Sequence, residues 1–328
     1  FPASASWILP AATDTKPKAD TEQPPAAKSK RDQILEILNG LDEGPSREEI
    51  AAIVNAAIEK RINDGQMVEK IVITPTETKK VEGATHKAFK KITQAIAAGM
   101  NVCAVGPAGT GKTHMCAMIA EALELDYGFT GKVESEYALL GFRDAKGEYK
   151  STEFRRLYEN GGLFLFDELD GSNPKAITAF NAALDNGICA FPDGTIKAHK
   201  DFRAIAASNT FWGGATREYV GRNPLDAASK DRFVFVDVDY DERLENSLAA
   251  AIEGGLDVAH RVQALRKAAA ELKVKVIVSM RATMTIAKLL QLGWKEKDAY
   301  QSGLWKGVPI GDVRRLNAKA DELTKEDA

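Results

Sequence analysis

Residues 106–113 read Gly106-Pro107-Ala108-Gly109-Thr110-Gly111-Lys112-Thr113 and follow directly on the apolar run Asn101-Val102-Cys103-Ala104-Val105. The pattern is GxxxxGK[ST], set between a strand signal and a helical stretch over 112–125. Each residue type in it has a physical task. Glycines let the backbone curl so that successive N–H groups point inward at phosphate oxygens, and the following helix presents the positive end of its dipole there. Lys112 can then reach β- and γ-phosphates, while the Thr113 hydroxyl can ligate Mg²⁺. The stretch marks a nucleoside-triphosphate binder built on strand, loop and helix.

Working outward, apolar runs of strand length alternate with helical stretches. Leu163-Phe164-Leu165-Phe166 is a buried-strand signal, 175–186 a helix, and 203–207 and 233–238 two further strands. Such alternation predicts an α/β fold, a parallel sheet with helices on both faces. After Tyr240 the pattern becomes helical only, over 241–252, 258–272, 280–292 and 313–323, so a small all-α domain is expected to follow. Upstream, 68–74 reads as a short strand and 86–98 as an amphipathic helix leading into the first core strand. Residues 1–30 are proline-, alanine- and lysine-rich and read as a disordered leader. Residues 31–65 hold two helical patterns, the second opened by Ser46 and Glu49 as a capping box.

Composition narrows the functional class. The 328 residues are 44% hydrophobic with a formal charge of −3, enough apolar content for a sizeable core and no global basic field. Nonspecific nucleic-acid binding is therefore not the first reading. Cys103, Cys116 and Cys189 form no CxxC pair, which suits a reducing, cytoplasmic compartment and small core residues. No apolar stretch reaches the about 18 residues that span a bilayer. The four histidines sit at no metal-ligand spacing, so Mg²⁺ accompanying a nucleotide is the metal expected.

The run 163–166 ends in Asp167-Glu168. A hydrophobic strand would carry Asp167 to the sheet edge to hold Mg²⁺, and Glu168 would be placed to polarise an attacking water. Asp170, two residues on, could support the site from behind, but a surface carboxylate is the first reading. Ser208-Asn209-Thr210 closes the 203–207 strand at the carboxyl end, the edge where ligands bind in open α/β sheets. Asn209 is the candidate for touching the water or the γ-phosphate.

With these residues in order, the chain resembles an AAA+ ATPase. GPAGTGKT matches the Walker A motif, LFLFDE (163–168) the Walker B motif and Asn209 the sensor-1 position. Asp231-Arg232-Phe233 resembles the arginine-finger segment, with Arg222 as runner-up, and Ser279-Met280-Arg281 the sensor-2 segment opening a lid helix. The segments 135–160, as a helix-2 insert, and 188–202, as a hairpin turned at Asp193-Gly194, resemble the MoxR-like, dynein-related branch that includes CbbQ, NorQ and the small subunit of cobaltochelatase. The resemblance implies a core over 66–240 and a helical lid over 241–328. It also implies ATP as the nucleotide and a homo-oligomeric, hexameric ring in which Arg232 enters the neighbouring site and Arg281 contacts phosphate. The implied work is remodelling of a protein client, such as one carrying a von Willebrand A domain. A nucleic-acid motor and a slow nucleotide-dependent switch are the alternatives, and no membrane role is implied. Phe142 or Tyr149 would supply an aromatic on a pore loop, and His86 would lie near the base.

Overall fold

The structure is a computed structural model, and it describes residues 68–74, 77–216 and 219–326. The expected leader and helical arm over 1–65 lie outside the described residues. The described chain opens with an antiparallel hairpin of β1 (Val68–Thr74) and β2 (Glu77–Glu82). Helix α1 (Phe89–Ala97) leads from it to the core.

Five strands form one parallel sheet: β3 (Val102–Val105), β4 (Tyr127–Thr130), β7 (Gly162–Phe166), β10 (Phe202–Ser208) and β11 (Val234–Asp237), in the order β11-β3-β10-β7-β4. Alternate residues of each central strand feed opposite faces. Val102, Ala104, Leu163, Leu165, Ile205 and Ala207 pack with Phe89, Ile92 and Ile96 of α1 and with Met115 and Ile119 of α2 (Lys112–Ala122). Cys103, Val105, Phe164, Phe166, Ala204 and Ala206 pack on the other face beneath α4 (Glu153–Asn160) and α5 (Pro174–Asn186). Helices cover both faces, which is why these strands read as unbroken apolar runs.

Between β4 and β7 the chain forms α3 (Glu136–Leu140), a hairpin of β5 (Phe142–Arg143) and β6 (Tyr149–Lys150), and then α4. A second hairpin, β8 (Ile188–Phe191) with β9 (Gly194–Lys197), follows α5. The turn expected at Asp193-Gly194 falls one residue earlier: Phe191 pairs with Gly194, leaving Pro192-Asp193 as the loop. Both pairs are acceptable turn chemistry, and the register that sets Cys189 against Ile196 and Ala190 against Thr195 leaves Pro192-Asp193 as the loop.

A short helix α6 (Ala227–Asp231) precedes β11. Beyond Tyr240 only helices follow: α7 (Glu242–Ala249), α8 (Gly255–Glu271), α9 (Met280–Gln291), α10 (Glu296–Gly303) and α11 (Ile310–Glu326). They share a core of Val258, Val262, Leu265, Ile286, Trp305 and Leu316. Strand β4 and helix α10 are among the elements that were not expected. Strand β4 lacks an apolar run because it is the sheet edge, where Phe129 is exposed. Helix α10 (EKDAYQSG) buries only Ala299 and so has no apolar stripe to read.

A candidate nucleotide-binding site

The loop 106–111 leaves β3 at the carboxyl edge of the sheet and runs into α2, with Lys112 and Thr113 as that helix's first residues. Lys112 is almost fully buried within the curl of the loop. Its Nζ donates to the carbonyls of Gly106 at 2.6 Å and Pro107 at 2.9 Å, and to Asn209 Oδ1 at 3.2 Å. Burial lowers its pKa to about 8, against the opposing pull of Asp167 and Asp170.

Strand β7 ends at Phe166, and the next residue, Asp167, accepts the Thr113 hydroxyl at 2.7 Å. Glu168 follows in a left-handed backbone conformation, φ 52°, which turns the chain sharply after the strand. Asn209 stands immediately beyond β10, whose neighbours are β3 and β7. Parallel pairing thus sets Lys112, Asp167 and Asn209 at adjacent strand ends.

The helical region supplies one more cation. Ser279 caps α9, its Oγ accepting the Ala282 N–H at 3.3 Å, and Arg281 is on the first turn. A side chain on Gly109 would meet Ser279 Cβ at 2.7 Å, so the glycine is what lets this helix start press against the phosphate loop. Arg281 consequently lines the same pocket of about 290 Å³ as Lys112, Thr113, Asp167, Glu168 and Asn209. Arg232 is absent from that pocket. Its guanidinium is bound to Asp185 and to the Ala228 carbonyl of its own chain.

A second, apolar cavity of about 240 Å³ adjoins the first and shares Gly109, Gly111, His114 and Arg281 with it. Met115, Met118, Leu244, Leu248, Met280 and His86 contribute to its walls. His86 is buried, with Nε2 at 2.8 Å from the Asp239 carbonyl and Nδ1 accepting the Ala88 N–H at 3.0 Å. Those partners require the neutral Nε2–H tautomer, and burial accordingly lowers its pKa.

Three further participants surround the site. Asp170, expected at the surface, is fully buried, and its Oδ2 accepts from the Thr210 amide at 3.1 Å and hydroxyl at 2.8 Å. Burial pushes its carboxyl pKa up, offset in part by Thr210 and Arg222. Ala108 is gripped on both sides: its N–H donates to the Tyr219 hydroxyl at 2.9 Å, and its carbonyl accepts the Tyr240 hydroxyl at 3.1 Å. Both tyrosines arrive from far along the chain, and no local pattern announces them. Of the two aromatics considered for a pore loop, Phe142 is about half exposed, whereas Tyr149 donates its hydroxyl to the Leu140 carbonyl at 2.7 Å. Among the described residues no three His, Cys, Asp or Glu side chains cluster as metal ligands, and no helix is long and apolar enough to cross a membrane.

Residues 101–233 match the family model described as AAA domain (dynein-related subfamily). The match runs from the strand before the phosphate loop to the residue after Arg232. An uncharacterized Bacillus subtilis protein, YojN, is 28% identical over 159 residues, which cover 44% of this chain and 50% of that protein. An uncharacterized protein of Staphylococcus aureus strain USA300 is 27% identical over 154 residues, covering 43% of this chain and 56% of its own length. The chain thus spans about half the length of the curated relatives it matches. Among solved structures, NtrX from Brucella abortus superposes with a TM-score of 0.41 at 16% identity, over 85% of this chain and 58% of that one. A closed-state reconstruction of Hsp104 with ATPγS and FITC casein gives a TM-score of 0.39 at 17% identity, over 50% of this chain and 34% of that one.

Proposed function

We propose that this chain is a Mg²⁺-dependent ATPase of the AAA+ type that works as a homo-oligomeric, hexameric ring and remodels a protein partner in the manner of MoxR-like chaperones. The observation that carries the reading is the convergence of Lys112, Thr113, Asp167, Glu168, Asn209 and Arg281 on one pocket. The core is then 66–240 and the helical lid 241–328.

In this reading the N–H groups of 106–113 and the Lys112 cation take the β- and γ-phosphates. Thr113 and Asp167 offer a hydroxyl and a carboxylate, hard oxygen donors that suit Mg²⁺. Bound there with the nucleotide, the ion would neutralise phosphate charge. Glu168 takes a proton from water as the water oxygen bonds to the γ-phosphorus and the bond to the β-phosphate oxygen breaks. Asn209 orients that water, and Arg281 holds phosphate from the lid. Arg232 serves the neighbouring subunit's site, a role supported by its absence from its own pocket. The adenine enters the apolar cavity, where His86 has both nitrogens committed to backbone and presents a neutral ring.

A protein client is favoured over nucleic acid by the charges on the two hairpins. Lys150 of the insert hairpin is already paired with Glu148 at 2.8 Å and Asp144 at 3.1 Å, and Arg155 of the adjoining helix α4 with Glu159 and with Asp193 of the second hairpin. Basic groups so neutralised offer little to phosphate backbones. Arg143 donates to the Pro192 carbonyl at 3.0 Å, tying the insert hairpin to the second one, with Phe142 exposed beside them. A client with a von Willebrand A domain and a cytoplasmic setting complete the proposal.

Light scattering during size exclusion, with and without Mg²⁺ and ATP and with Glu168→Gln to hold the nucleotide, tests it directly. A nucleotide-dependent ring that hydrolyses ATP supports the shared-site mechanism. A monomer that still hydrolyses ATP removes Arg232 from it and moves the nucleotide-dependent switch to the front.

A further inference from the structure

Arg222 stands in an unusual electrostatic position. A single nitrogen, Nη1, lies 3.4 Å from Glu168 Oε2 and 3.4 Å from Asp170 Oδ1. Asp170 is fully buried, and among the described residues its Oδ1 has no hydrogen-bond donor, so Arg222 is the cation paired directly with this oxygen. A buried carboxylate cannot release such a partner cheaply. Arg222 is therefore fixed from the Asp170 side.

The backbone around it is fixed as well. The Asn223 amide donates to the Asp170 carbonyl at 2.8 Å, and its side-chain nitrogen to the Ser172 carbonyl at 3.0 Å. Upstream, Tyr219 holds the Ala108 N–H. The guanidinium also lies over Gly171, where an added Cβ would meet Nη1 at 2.2 Å; only glycine leaves that room. Glu168 differs in kind. Its side chain is 47% exposed against 11% for Arg222, and among the described contacts it has no second ion-pair partner. One member of the pair is anchored and the other is free to swing.

Resting on the reading of Glu168 as the group that polarises water, we propose that the Asp170–Arg222 pair is a cis-acting berth that draws Glu168 to the pocket wall and limits hydrolysis. Arg222 is then a positioning residue acting through Glu168, within its own subunit. Each turnover requires the Glu168 carboxylate to leave Nη1 and accept a proton from water. No co-reactant beyond water and ATP is involved.

The test uses the full chain with Arg222→Gln, and with Asp170→Asn/Arg222→Gln so that no lone charge is left buried. ATPase rate at saturating Mg²⁺ and ATP and equilibrium binding of mant-ATP are measured together. The expected result is a kcat raised about two- to fivefold, the span that a half-exposed ion pair allows, with KM and mant-ATP affinity unchanged. On a Glu168→Gln background the gain should vanish. A merely structural role would lower kcat or weaken binding in both variants, and an unchanged or reduced kcat with intact mant-ATP affinity overturns the berth. If the wild-type chain binds mant-ATP no better than Lys112→Ala, the nucleotide reading fails first and the berth falls with it.

Discussion

The Thr113 hydroxyl donates to the Asp167 carboxylate across 2.7 Å, joining residues 54 positions apart at neighbouring strand ends. That bond brings together the two oxygen donors that would hold Mg²⁺ in the proposed reading. Asp167→Asn keeps the shape and removes the anionic donor. The Mg²⁺ concentration for half-maximal ATPase should rise about tenfold, the equivalent of about 1.4 kcal/mol. Mant-ADP binding measured in EDTA should change little. An unaltered Mg²⁺ requirement would take Asp167 out of the ion's shell.

Lys112 makes two pH dependences run in opposite directions. Its pKa in the fold is about 8 against an ordinary 10.5, so between those values the unfolded chain holds more protons and the unliganded protein gains stability as pH rises. Phosphate binding needs the ammonium form. Nucleotide affinity should be flat below pH of about 8 and fall above it, approaching tenfold per pH unit. Mant-ADP titrations from about pH 7 to 9.5 would show the break, with Lys112→Arg as the control that stays charged throughout. A flat wild-type profile would mean that the lysine keeps its ordinary pKa.

Glu168 and Arg232 are assigned to the same reaction from different subunits. Each of Glu168→Gln and Arg232→Ala should bind ATP. The first should lose about 10²-fold or more in kcat, and the second about 10³-fold. Mixed rings pair an intact Glu168 with an intact Arg232 at some interfaces, so a mixture should recover activity that neither variant has alone. Rings that form and show no recovery at any mixing ratio would place Arg232 outside the reaction.

The phosphate loop and the strand ending at Asp167-Glu168 were legible because each is written locally: glycines at fixed spacing, then an apolar run too short for a helix. Asn209 was legible because it follows such a run. Asp170 was misread because its burial is created by Thr210 and Arg222, which lie 40 and 52 residues downstream in a chain that gives no local sign of meeting it. Tyr219 and Tyr240 escaped for the same reason. Strand β4 and helix α10 were missed because an edge strand and a half-exposed helix need no apolar stripe. The hairpin turn moved by one residue because either Pro192-Asp193 or Asp193-Gly194 is acceptable turn chemistry, and cross-strand register decided between them.

Two phenylalanines of this region should behave oppositely when truncated. Phe154 is fully buried, with ring centroids of Tyr158, Phe164, Phe180, Phe191 and Phe202 within 5.1 to 6.0 Å, so α4, α5, the sheet and the second hairpin meet on it. Phe154→Ala removes those contacts and leaves a cavity, at a cost of about 3–5 kcal/mol. Phe142 is 49% exposed on the insert hairpin, and Phe142→Ala should change stability by no more than about 0.5 kcal/mol. Urea unfolding of the two variants separates them. With stability intact, any loss of client-stimulated ATPase in Phe142→Ala would report on client contact, whereas a shift as large as that of Phe154→Ala would make Phe142 a core residue and remove it as a candidate.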